Sequence, residues 1–187
     1  LQYKKYLPNG LGVNFRIDKP ELPFTDKRVR QALMMATDFE AMKRDLYGGQ
    51  AELLANTIPP SYAWLTVPMK DLPESVQALY KYNPARAKQL LAEAGYPNGF
   101  KTKIIVENRS SALEPVMVFK AMWAKIGVDM EIQPRELAVY QGITTARSWD
   151  EMMAGVLWIG TNSLFSGFGG VRPPERLGWS DPVVEAA

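Results

Sequence analysis

The sequence predicts a three-layer α/β domain. Two stretches alternate or concentrate apolar residues as strands do, Lys101–Glu107 and Val128–Gln133. Between and around them lie stretches with helical spacing and helix-terminal signals. A third stretch, Met152–Trp158, is continuously apolar, as expected of a central strand covered on both faces. Strands that alternate with helices argue for α/β layers over a bundle or a sandwich. The expected sheet therefore includes 103–107, 128–133 and 152–158.

The elements follow in order. Gly12-Val13-Asn14-Phe15-Arg16-Ile17 alternates apolar and polar and reads as a half-buried strand. After a Pro-rich turn, Asp26 caps a helix whose core face is Val29, Ala32, Leu33 and Ala36. Asp38 restarts a second short helix with Phe39, Met42 and Leu46 on one side, closed by Gly48-Gly49. Residues 50–73 read as irregular, and 73–80 as a short helix. Asn83 is an N-cap, Pro84 occupies the first helical position, and Ala85–Ala94 is rich in helix formers. Gly95 supplies the left-handed residue at its end, with Pro97 just beyond. A helix over about 111–126, whose exact start Pro115 leaves open, ends at Gly127. Glu136–Arg147 reads as one more, with Val139, Tyr140 and Ile143 apolar.

Composition narrows the chemistry. The chain has 187 residues, and its 22 basic and 20 acidic side chains leave a net charge of +2, which gives no argument for nucleic acid or an anionic membrane. Lys27, Arg28 and Arg30 carry no interleaved aromatic and read as a solvated helix face. There is no cysteine and no histidine. Disulfides, thiolate chemistry, Ser–His triads and histidine-based zinc sites cannot be built from it. The longest apolar run, Met152–Ile159, has eight residues, far short of the roughly 20 that span a bilayer as a helix. Ser180-Asp181-Pro182 opens a helix that Val183–Ala187 continues for about one turn, which reads as a piece of a longer chain.

Few motifs carry chemistry. Ser166-Gly167-Phe168-Gly169-Gly170 follows an apolar strand, but Val171-Arg172-Pro173-Pro174 forbids the Lys-Ser/Thr helix start of a phosphate loop. Asn108-Arg109-Ser110 matches a glycosylation triplet of a kind frequent by chance. No motif selects two carboxylates for a glycosidase-type pair. Trp158, ending the most apolar strand, stands where ligands bind in open α/β sheets; it reads as a ligand-stacking side chain or as a core tryptophan.

Several stretches resemble family 5 extracellular solute-binding proteins, the oligopeptide, dipeptide and nickel receptors of ABC importers. They are Phe24–Leu33, Asp38–Ala41, Gly48–Ala51, Ile58-Pro59-Pro60, Trp123–Val128 and, most specifically, the block from Tyr82 through Asn83-Pro84-Ala85-Arg86 to Gly95-Tyr96-Pro97-Asn98-Gly99-Phe100. The resemblance implies a periplasmic-binding-protein-like lobe of type II with a mixed sheet. Residues 1–187 would be most of the C-terminal lobe of a longer two-lobed receptor, without its last helices. It further implies no catalysis and no cofactor or metal. The implied partners are a small solute (peptide, sugar or similar) and a membrane permease. The expected protein is a periplasmic or extracellular monomer that meets the membrane only through the permease or a lipid anchor outside this stretch.

The resemblance also points to site residues. Many members carry a tryptophan shortly before an aspartate that pairs with a peptide's α-ammonium group. Aligning Trp158 with that tryptophan puts Thr161, or with a small slip Asn162, in the aspartate's place. Leu137 follows Glu136 where a second tryptophan often stands. Trp158, Thr161 and Asn162 are therefore the expected ligand-binding residues, and they offer neutral oxygens that suit a neutral or hydroxyl-rich solute. Two other readings stay open: a carboxylate-dependent hydrolase domain, and a ligand-sensing or interaction domain on the same fold.

Overall fold

In the computed structural model, which describes residues 10–51, 53 and 67–157, four strands form one mixed sheet. They are β1 (Gly10–Phe15), β2 (Phe100–Glu107), β3 (Val128–Arg135) and β4 (Met152–Leu157), in the order β1-β4-β2-β3. β2 is parallel to both β3 and β4, whereas β1 runs antiparallel to β4. All three expected strands are therefore in the sheet. The third is described as far as Leu157, and Trp158 lies outside the described residues.

The helices are α1 (Lys27–Met35), α2 (Phe39–Ala41), α3 (Glu74–Leu79), α4 (Pro84–Glu93), α5 (Ser110–Ala124) and α6 (Leu137–Ala146). One sheet face carries Ile104, Val106, Val128, Met130, Met152 and Ala154, which join Val29, Leu33, Leu91, Val116, Phe119 and Trp123 in a single buried cluster. Helices α1, α4 and α5 thus form the layer on that face. Ile105 is buried but outside this cluster, as the period of two along a strand requires. α6 covers the opposite face, where its Tyr140 reaches the backbone of Ala154.

The caps expected at Asp26, Asp38 and Asn83 are present, while Ser180 lies outside the described residues. Asp26 accepts from the Arg28 N–H at 2.8 Å, Asp38 from Ala41 at 2.9 Å, and Asn83 from Arg86 at 3.0 Å. Asn83 also donates its own N–H to the carbonyl of Met35 at 2.7 Å, which seats the start of α4 on the end of α1. The core face of α1, Val29, Ala32, Leu33 and Ala36, is buried as its spacing predicts. The Trp123 indole N–H on α5 donates to the Leu33 carbonyl (3.1 Å) and the Thr37 hydroxyl (3.0 Å), so the buried donor is satisfied and α5 is pinned to α1.

Four details depart from the sequence reading. Ile17 is exposed and outside β1, because the partner strand β4 begins only at Met152, opposite Phe15. The Arg16 guanidinium instead donates to the carbonyls of Arg147 (2.8 Å) and Trp149 (2.7 Å). Met42–Leu46 continue α2 as a π-helical turn before Gly48 and Gly49 take positive φ. α5 begins at Ser110, so Pro115 lies within it, buried. On α6, Val139 is 54% exposed; Tyr140 and Ile143 are the half-buried positions.

Two glycines set the register of the parallel pair. Gly99 (φ +75°) and Gly127 (φ +89°) each immediately precede a strand, and their backbones touch. A Cβ on Gly99 would lie 1.9 Å from the Gly127 carbonyl oxygen, whereas a Cβ on Gly95 (φ +94°) would meet nothing within 4 Å. Gly95→Ala should therefore cost only backbone strain, about 1–3 kcal/mol. Gly99→Ala adds displacement of the β2–β3 start and should cost clearly more. Denaturant melts of the two variants check this; equal losses would refute the close-packing account.

Candidate functional site

Ligands in open α/β sheets bind in the crevice beyond the carboxyl ends of the parallel strands. Here β2, β3 and β4 run parallel toward one edge, where β2 ends at Glu107 and β3 at Arg135 and β4 is described to Leu157. Because β2 and β3 are both eight residues long and pair from Phe100↔Val128 to Glu107↔Arg135, their ends are flush. α5 and α6 therefore begin at this same edge, at Ser110 and Leu137, on opposite faces of the sheet. Their amino termini turn partial positive charge toward this edge.

The turn from β2 into α5 carries the polar groups. The Asn108 N–H donates to the Arg135 carbonyl at 2.8 Å, and its side-chain amide donates to Glu136 Oε1 at 3.1 Å. The two strand-to-helix turns are thereby tied together. The Arg109 guanidinium lies 3.3 Å from Glu107 Oε2; its side chain is half exposed, while that of Glu107 is 19% exposed. Arg109 thus carries an accessible cation, steadied from below by a carboxylate. Behind them, the Tyr140 hydroxyl donates to the Ala154 carbonyl at 2.8 Å. Burial, and secondarily the nearby Glu107 carboxylate, push the Tyr140 phenol above the ordinary tyrosine value.

Chemically this edge can hold an anion and hydrogen-bond a polar solute. Among the described residues, no group of three or more carboxylate, histidine or cysteine side chains could hold a metal ion. Among the same residues no helix is long and apolar enough to cross a membrane. Lys27, Arg28 and Arg30 lie elsewhere, on α1. Arg28 pairs with Asp26, whose carboxyl it holds down to about 2 chiefly through the side-chain hydrogen bond, and Arg30 donates to the carbonyl of Phe24.

Trp158, Thr161 and Asn162, the expected ligand-binding residues, lie outside the described residues, as does Ser166–Gly170. Sequence reasoning missed Arg109. It sits in the triplet Asn108-Arg109-Ser110, read as a chance match, yet it follows directly on the carboxyl end of a parallel strand. The strand-end rule that singled out Trp158 selects Arg109 equally well when applied to Lys101–Glu107.

The layers and the mixed four-stranded sheet are those of the type II periplasmic-binding-protein fold. Residues 2–167 match bacterial extracellular solute-binding proteins, family 5 Middle, and the chain belongs to that family. It is 34% identical over 160 residues to heme-binding protein A of Haemophilus influenzae, covering 82% of this chain and 27% of that protein. Over 111 residues it is 34% identical to the glutathione-binding protein GsiB of Salmonella typhimurium, covering 59% of this chain and 20% of the relative. Among solved structures, HbpA2 from Haemophilus parasuis superposes with a TM-score of 0.69 at 30% identity, over 95% of this chain and 35% of that one. The ABC transporter-associated periplasmic binding protein DppA of Helicobacter pylori, in complex with peptide STSA, has a TM-score of 0.68 at 24% identity. It covers 96% of this chain and 36% of its own, and speaks for the fold. The chain thus spans roughly a fifth to a third of the length of these proteins.

The raised Tyr140 phenol sets a pH dependence. The folded state holds the proton above the pH at which the unfolded chain releases it, so this contribution to stability is complete below about pH 10 and is lost as pH rises through the folded value. Ultraviolet difference titration should show a late-ionising tyrosine that Tyr140→Phe removes. Glu107→Gln should lower its midpoint without normalising it, because burial is the larger cause. Full normalisation by Glu107→Gln would reverse that ranking.

Proposed function

We propose that this chain is most of the C-terminal lobe of a longer two-lobed receptor, residues 1–187 forming one α/β unit. The receptor captures a small polar, carboxylate-bearing solute, peptide-like in character, and delivers it to the permease of an ABC importer. The observation that carries this is the accessible Arg109 guanidinium at the carboxyl edge of the parallel strands, in a chain of the solute-binding family. A guanidinium recognises a carboxylate with two parallel N–H donors. Heme and glutathione, named for two relatives, differ in most respects but share carboxylates.

The receptor works as a monomer outside the cytoplasmic membrane, with or without a lipid anchor, and without catalysis. The absence of histidine fits a binder better than a hydrolase. Trp158 stacks on the solute, while Thr161 and Asn162 hydrogen-bond it through neutral oxygens. Those oxygens cannot neutralise a buried ammonium group, whose desolvation costs several kcal/mol unless compensated. The loop after β4 therefore does not anchor a free peptide amino terminus.

Calorimetry on the full-length receptor tests this with glutathione, free and N-acetylated tripeptides, and a neutral trisaccharide. Binding of carboxylate-bearing solutes should survive acetylation and weaken roughly tenfold or more in Arg109→Ala, the scale of a charged hydrogen bond. The isolated chain, offering half a cleft, should give no heat under the same conditions. Preference for the trisaccharide would remove the carboxylate assignment, and loss of binding on acetylation would refute the neutral-loop assignment.

A further inference from the structure

β4 is the central strand that leads into the proposed solute-facing residues, and its two neighbours hold it unequally. Pairing with β1 continues to Leu157, but pairing with β2 ends at Val106↔Ala154. Beyond that point β2 turns toward β3, the Asn108 N–H going to the Arg135 carbonyl. At the place where β2 departs, the Tyr140 hydroxyl from α6 donates to the Ala154 carbonyl at 2.8 Å.

The next residue is a glycine, and its backbone does not call for one: it has no positive φ. Space calls for it. A Cβ at Gly155 would lie 2.6 Å from the Tyr140 oxygen, yet 3.9 Å from the ring carbon that bears it. At the first distance the hydroxyl or the strand must shift, and the second is an ordinary contact. Glycine inside a strand weakens it and marks a close approach, and here the approaching group is the hydroxyl alone. α6 is itself anchored at this edge, through Glu136 to Asn108. The hydroxyl therefore connects a fixed helix to the last part of β4 that β2 leaves unsupported.

We propose that Tyr140 and Gly155 form a matched peg and notch that sets the carboxyl end of β4, the strand from which the sequence continues into Trp158, Thr161 and Asn162. Tyr140 is a positioning residue and does not touch the solute. The inference rests on the reading of those three residues as solute-facing, and deepens it.

The test uses the ligand-free full-length receptor labelled with 5-fluorotryptophan, each fluorine resonance being assigned by its Trp→Phe variant. Tyr140→Phe should shift or split the Trp158 resonance and leave that of Trp123, buried between α5 and α1, in place. The substitutions should also be strongly non-additive. Gly155→Ala alone lowers the melting temperature and perturbs Trp158, whereas in the Tyr140→Phe background it adds almost nothing, because the obstructing oxygen is gone. With glutathione as the probe, Tyr140→Phe should weaken binding roughly fivefold, the scale of one hydrogen bond. An unmoved Trp158 resonance in Tyr140→Phe, or additive Tyr140 and Gly155 substitutions, would overturn the proposal. Failure of the wild-type receptor to bind glutathione would count against the solute reading, while the fluorine and additivity results would still decide the peg and notch.

Discussion

The close approach of Gly99 and Gly127 is the constraint on which the rest of the lobe depends. Each glycine takes a positive φ that turns the chain from a helix into a strand, and the missing side chains let the two turns touch. Parallel strands have no hairpin to set their register, so it must come from the hydrophobic pattern or from contacts at the ends. Here the contact at one end starts β2 and β3 together at Phe100↔Val128. Equal strand lengths then carry the alignment to Glu107↔Arg135, and the two following helices begin on a common edge. The geometry of the candidate site is thus set some eight residues away from it.

The helical layer holds the sheet in this arrangement through a few buried joints. Trp123 connects α5 to the carbonyl of Leu33 and the hydroxyl of Thr37, and its ring stacks on Phe119 at 5.6 Å. Asn83 connects α4 to α1 through its backbone and caps α4 with its side chain. Phe24, fully buried, packs against Phe15 of β1 and Phe100 of β2, so the aromatic cluster bridges strands far apart in sequence. Each joint spends a polar or aromatic group of the core on orientation as well as burial. Such satisfied buried contacts favour one arrangement of layers over slightly shifted alternatives.

Function follows from what this rigid frame leaves open. Among the described residues the core is largely apolar, and Asn108, Arg109 and Glu136 stand together at the strand-end edge. An arginine steadied by a carboxylate, two helix amino termini and an asparagine bridge suit recognition of a polar anion more than bond breaking. Membership of the solute-binding family agrees with that chemistry.

Among the described residues, the sequence by itself determined the class, the place of each strand and most helix boundaries to within a residue or two, because those depend on signals read within a few residues. Asp26, Asp38 and Asn83 cap helices whatever surrounds them, and Gly95 and Gly127 end helices for reasons of backbone sterics. The core face of α1 was legible for the same reason: 3.6-residue spacing needs no knowledge of the partner. What tertiary structure decided is everything set by distant partners. Ile17 fell outside β1 because β4 starts late. Val139 turned outward because α6 rests on Tyr140 and Ile143. Arg109 looked like part of a chance triplet until the β2–β3 register brought it to the same edge as Glu136. Gly155 looked like one small residue in an apolar run; only the Tyr140 hydroxyl, fifteen residues earlier in the chain and across a sheet face, gives a physical reason for its lack of a side chain.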